Sequence, residues 1–258
     1  MDRSVAFAAL IATDPVEKVR LTRAALAAPD MTGNQRVLAA GTPGRPAQPQ
    51  LVHPARVPQR GLGTAAGRAA LLHAITHIEF NAINIALDAL CRFGGMPAAY
   101  YSDWMRVAGE EALHFSLLAA HLQSLGHAYG DFPAHNGLWE MADLTRNDVL
   151  ARMALVPRIL EARGLDVTPA IRAKLAHQGD LAAAEILDVI LADEVGHVAI
   201  GNQWYRWLCE QRGVDPREIF GQLMIKHRAP KIRPPFNRPA RLAGGFTVAE
   251  LDGWEADC

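Results

Sequence analysis

With 258 residues, 50% of them hydrophobic, the chain can bury a full core and falls in the range of one domain with extensions or two small ones. Its 26 Lys and Arg stand against 27 Asp and Glu, so no global charge announces nucleic acid, a membrane surface or an acidic substrate. Cys91, Cys209 and Cys258 are few, odd in number and far apart, which speaks against a disulfide framework and a zinc cluster and for reduced thiols in a cytoplasmic protein.

The first apolar run, residues 5–12, follows Asp2 and Arg3 and is too short to span a bilayer, so no membrane association is expected. Asp14-Pro15-Val16-Glu17 combines an N-cap, a first-turn proline and a capping-box acid, predicting short helices that end near Ala28. Helical period then disappears, and Pro43, Pro46, Pro49, Pro54 and Pro58 mark an extended arm that Leu51, Val52 and Val57 should pack onto the body. Residues 1–63 are therefore read as N-terminal helices plus arm.

Residues 64–213 carry four long periodic segments, at about 64–92, 97–125, 145–163 and 180–212. A preliminary helix is predicted to open at Thr168-Pro169, with Gly164 as a C-cap. Short breaks flank one long irregular link at 126–143, the pattern of a four-helix bundle with a crossover between its second and third helices. Residues 214–258 lose clear period after Leu223 and become a basic, proline-stiffened strap carrying Lys226, Arg228, Lys231, Arg233, Arg238 and Arg241.

Two Glu-x-x-His tetrapeptides, Glu111 to His114 and Glu194 to His197, fall inside separate long helices. Residues three apart share a helix face, so carboxylate and imidazole can converge on one ion. At ~100° per residue, Glu111 lies in the stripe of Trp104, Val107, Ala108, Phe115, Leu118, Leu122 and Leu125. Glu194 shares its stripe with Leu187, Ile190, Leu191, Val198, Tyr205 and Leu208, and Glu79 sits among Leu72, Ile75, Ala82, Ile83, Ala86 and Leu90. Glu161, on the face of Leu150, Ala154 and Pro157, is the best carboxylate on the third segment, where Pro157 should kink the helix. Glu185 falls opposite Glu194.

Four carboxylates aimed at an apolar interior repel unless something neutralises them, and two divalent ions match their formal charge. With two imidazoles they make the mixed oxygen and nitrogen shell that suits iron or manganese. Taken one at a time, each of these residues is more readily a surface acid or a satisfied core histidine. The ordered set Glu79, Glu111/His114, Glu161, Glu194/His197 is what predicts a metal site.

On His77-Ile78-Glu79, Gly109 to Phe115, Tyr129 to His135, Ala151-Arg152-Met153, Leu160 to Asp166 and Asp193 to His197, the chain resembles the ferritin-like superfamily. More narrowly, it resembles a bacterial ferritin-like family of unknown function. That resemblance implies an all-α, ferritin-like four-helix bundle and a dinuclear metal site at the six positions. The expected cofactor is two Fe ions, with Mn or mixed Mn/Fe as the alternative.

The expected function is a di-iron oxidoreductase that activates O2 and hydroxylates a small or nucleotide-like substrate, with a protein electron donor and a homodimer as candidate partners. Its rivals are a non-redox, iron-handling protein and a manganese catalase-like peroxide dismutase. His77, Arg158 and Asp193 are candidates to orient the ligands, with a bundle-boundary histidine and solvated charges as the plainer alternatives. Arg152 and Arg163 carry the same two readings, and Asp131 and His135 could gate a pocket or simply make turns. The strap could grip a phosphate or pair with acids on the body.

Overall fold

The computed structural model describes residues 3–27, 43–58 and 60–256. Cys258 and the arm at residues 28–42 lie outside them. Every regular element among the described residues is helical, apart from one parallel β-bridge between Leu51 and Ala134. The chain is all-α.

It divides into two compact units, residues 1–139 with 177–186, and residues 140–176 with 187–258. The first contains α1 (Ser4–Ile11), α2 (Pro15–Leu26), α3 (Ala65–Arg92) and α4 (Ala98–Ser124). The Asp14 side chain accepts from the Glu17 N–H at 2.8 Å above a first-turn proline, so α2 starts where its capping residues dictate. Thr64 does the same for α3, accepting from the Gly67 N–H at 3.0 Å.

Buried cations close the other ends. Lys18 donates to the carbonyls of Ala9 and Leu10 at the end of α1, and Arg3 donates to that of Leu90 near the end of α3. By length and composition α3 could cross a membrane, yet 78% of its most apolar stretch is buried inside the protein.

The described part of the arm is held to its unit through its backbone, whereas Leu51, expected to pack, is 42% exposed and Val52 and Val57 are only half-buried. The Val52 N–H donates to the Ala134 carbonyl and the Ala134 N–H to that of Gln50, at 2.8 and 3.0 Å, tying arm to crossover. The crossover is irregular only to residue 136, where α5 (Gly137–Leu144) begins.

The second unit corrects three expectations. After α6 (Val149–Leu155), residues Val156–Glu161 form a π-helical turn that leads without a break into α7 (Ala162–His177). Pro157 has no N–H to give and crowds the preceding carbonyls, so the helix widens by a residue instead of merely kinking. Gly164 does not cap this helix, and Thr168-Pro169 does not open a new one. Pro169 deprives the Leu165 carbonyl, four residues earlier, of its helical donor, and the Asn237 side-chain amide supplies one at 3.1 Å. A partner 72 residues away thus lets proline sit inside the helix.

α8 (Leu181–Arg212) passes the π turn at Gly201, where an added Cβ would stand 2.3 Å from Pro157 Cβ. Both atoms belong to well-packed backbone or ring, so neither yields cheaply. Gly201→Ala is expected to lower stability by about 1–3 kcal/mol, read as the urea midpoint; an unchanged midpoint would show that the helices slide apart freely.

The strap is also more regular than its sequence implies. It forms α9 (Pro216–Lys226), α10 (Arg238–Ala243) and α11 (Val248–Ala256). α11 opens on a full capping box: the Glu250 N–H donates to Thr247 Oγ1 at 3.2 Å and the Thr247 N–H to Glu250 Oε2 at 2.9 Å. These helices carry too few residues for period to declare them.

Candidate metal centre

In the first unit, Glu79 on α3 and Glu111 and His114 on α4 are 3%, 0% and 0% exposed, as their helical phase required. His114 Nδ1 lies 3.2 Å from Glu79 Oε2 and 3.4 Å from Glu111 Oε2. One ligand atom from each of the three residues lies within 4.8 Å of the others. Two carboxylates and an imidazole nitrogen facing one point inside an apolar helix pair make a donor set of the type that holds a divalent cation.

The electrostatics agree. Burial, and then the neighbouring Glu111, push the Glu79 carboxyl well above its usual range. Burial opposes charge on His114, but the Glu111 and Glu79 acceptors outweigh it and push the imidazole up to about 11. Without a cation the cluster therefore holds protons that a metal ion would displace, so metal binding should release protons and tighten as pH rises.

In the second unit, Glu194 and His197 stand one helical turn apart on α8, with Nδ1 and Oε1 separated by 3.8 Å. His197 is fully buried and the Glu194 side chain is 12% exposed. Glu161 ends the π turn at 9% exposure, and Glu185 is exposed on α8.

The three supporting candidates have different surroundings. The His77 ring nitrogens face the Tyr129 hydroxyl at 2.8 Å and the Asn81 amide at 3.0 Å, so this imidazole fastens the crossover to α3 rather than steering a ligand. Arg158 donates to Asn202 Oδ1 and Glu250 and lies over the Tyr205 ring, 4.3 Å from its centroid. Asp193 is half-buried beside Glu194. Of the remaining arginines, Arg152 donates to the Ala142 carbonyl and Thr145 hydroxyl, and Arg163 pairs with Asp166 at 3.5 Å. Asp131 Oδ2 accepts from the Ala128 N–H, as a turn residue does.

Two features escaped the sequence reading. Tyr129 is wedged among His73, His77, Phe80 and Phe115, at ring separations of 5.1–6.0 Å. Asn84 is fully buried on α3 with neither amide atom hydrogen-bonded to protein. Its signal was available, as a further polar residue on an otherwise apolar helix.

His73 gives a pH prediction separate from the ligands. Its Nε2 accepts from the Gly130 N–H at 2.9 Å, and burial lowers its pKa from 6.5 to about 4. The unfolded chain then binds the proton first, so the contribution is complete above pH 6.5 and is lost as pH falls toward 4. The loss is at most ~3 kcal/mol. His73→Gln, which keeps an acceptor but cannot titrate, should flatten part of the decline in urea midpoint between these pH values in chelator. Parallel curves for variant and parent would refute the assignment.

A family model described as a protein of unknown function (DUF455) matches residues 11–252. An uncharacterized protein of Haemophilus influenzae is 53% identical over 214 residues, covering 80% of this chain and 74% of that protein. No solved structure matches the chain.

Proposed function

We propose, from the premise that the chain belongs to the DUF455 family, that it is a metal-dependent oxidoreductase using two iron ions per chain. Glu79, Glu111 and His114 hold one ion; Glu161, Glu194 and His197 hold the other. Each set offers two carboxylates and one imidazole, so each balances the charge of one M(II) ion. The ferritin-like pattern of the sequence treats the two ions as one dinuclear centre, and that pattern is the basis for assigning O2 as oxidant. Manganese is the alternative metal.

The observation that carries the reading is the buried Glu79, Glu111 and His114 cluster, whose carboxylates lie within 3.4 Å of one imidazole nitrogen. Burying two acids and a histidine together is unfavourable unless a cation offsets them. When bound, iron supplies one-electron chemistry toward O2 and Lewis acidity. The residues of this chain supply the binding set, its near-complete burial from water, and proton release on metal uptake. The substrate is a small or nucleotide-like molecule to be hydroxylated, and a donor protein supplies the electrons.

The test is metal content after anaerobic Fe(II) loading and desalting, followed by O2 uptake with a chemical reductant. Two irons per chain and reductant-dependent uptake support the proposal. Two irons without uptake would turn the reading to iron handling without redox turnover, and no bound iron would sink it.

A further inference from the structure

The second unit contains a cavity of about 750 Å³ between α9, α11 and the strap that joins α9 to α10. That volume is in the range of small-molecule sites. Its apolar wall includes Phe220 and Trp254, with ring centroids 5.8 Å apart, and Met224. Arg217, Lys231 and Arg233 line it as exposed cations, and Glu250 is its one acid. Glu250 is already engaged by Arg158, which is 1% exposed, and by the Thr247 hydroxyl. The wall therefore offers three cations beyond its internal pair.

The strap's other basic residues divide into two that are paired and two that lie outside the cavity. Arg238 pairs with Asp252 and Glu255, and Arg241 with Asp166. No side-chain ion pair engages Arg217, Lys231 or Arg233 among the described residues. Lys226 and Arg228 are exposed as well, but they do not line the cavity.

Two glycines add an independent sign. Gly221 lies within α9 and Gly253 within α11, and both line the cavity. Interior helical glycine costs about 1 kcal/mol relative to alanine. Nothing lies within 4 Å of a Cβ added at Gly221, so no packing constraint in the protein demands the small residue there. Gly221 leaves that stretch of the cavity wall without a side chain.

We propose that this cavity binds a small organic anion carrying two or more negative charges on a planar apolar body, a nucleoside diphosphate being the form that fits. Three separated cations match a multiply charged group, and guanidinium forks suit phosphate oxygens. Phe220 and Trp254 give the body an aromatic surface. The inference rests on the second unit alone and stands or falls independently of the metal reading.

The experiment is calorimetric titration of the full chain with adenosine 5′-diphosphate, with pyrophosphate and adenosine as half-ligands. One diphosphate per chain is expected, with each half-ligand at least ~tenfold weaker. Lys231→Gln with Arg233→Gln should weaken binding by at least ~tenfold, and added salt should weaken it further. Lys226→Gln with Arg228→Gln removes the same charge from outside the cavity and should change the affinity less than about twofold. All four positions are exposed, so the variants should keep the parent Tm. No heat with the nucleotide, equal losses in both double variants, or pyrophosphate binding as tightly as the nucleotide would each overturn the proposal.

Discussion

On the proposed reading, Glu111→Ala should abolish tight metal binding at the Glu79, Glu111 and His114 set, and His197→Ala should do the same at the second set. Even groups that merely orient metal ligands are worth 10- to 100-fold in affinity, so loss of a ligand should cost at least ~100-fold. Glu110→Ala, one residue away and only half-buried, should leave metal content unchanged. Stability separates a ligand from an ordinary core residue. The Glu111 charge helps raise the Glu79 pKa, so in chelator Glu111→Ala should lose little stability or gain some. With iron present the parent should gain about 2.7 kcal/mol at a free metal concentration 100 times Kd, and the variant should lack that gain. Retention of two irons by either alanine variant would remove its residue from the proposed sets. A variant equally destabilised with and without metal would make Glu111 a packing residue.

What could be read from the sequence follows the range of the interactions involved. Helical phase placed Glu79, Glu111 and His114 inside because α3 and α4 are long and regular, α3 being capped by its own neighbour Thr64. The same construction placed Leu125 in the α4 stripe, yet it is 41% exposed, because the helix ends at Ser124. Arg158, offered either as a partner of ligand carboxylates or as a solvated charge, is instead buried inside the π turn against Asn202 and Glu250. Pro157 was visible and its effect on the helix was foreseen, but a widened turn rather than a kink depends on Gly201 admitting the ring from α8. The continuity of α7 was hidden for a similar reason. The donor that rescues the Leu165 carbonyl comes from Asn237, and nothing local to Pro169 announces it. The capping box at Thr247 and Glu250 was legible in principle; the helix behind it is one of the short ones that period cannot show.

Arg241→Ala should destabilise the second unit by up to about 3–5 kcal/mol, because it leaves the buried Asp166 charge with only the half-exposed Arg163 guanidinium, 3.5 Å away. Arg241 and Asp166 are 2% and 1% exposed at their side chains, and the guanidinium donates twice to the carboxylate, at 2.9 and 2.7 Å. The guanidinium also lies 4.6 Å from the Phe236 ring centroid and 5.2 Å from that of Phe246, so truncation removes packing as well as charge. Asp166→Asn should be nearly as harmful, since it strands the cation instead. The double variant, Arg241→Met with Asp166→Asn, leaves neither charge. The asparagine can still accept from the Asn237 N–H, which Asp166 Oδ1 accepts at 2.9 Å. It should therefore recover much of the loss, and a double-mutant cycle by urea denaturation should show coupling well above ~0.5 kcal/mol. Strict additivity would mean that the pair is screened. Because the strap carrying Lys231 and Arg233 runs directly into the anchored α10, loosening this pair should also weaken nucleoside diphosphate binding without touching a cavity-lining residue. Full affinity in a measurably destabilised Arg241→Ala protein would show that α9 and α11 alone shape the cavity.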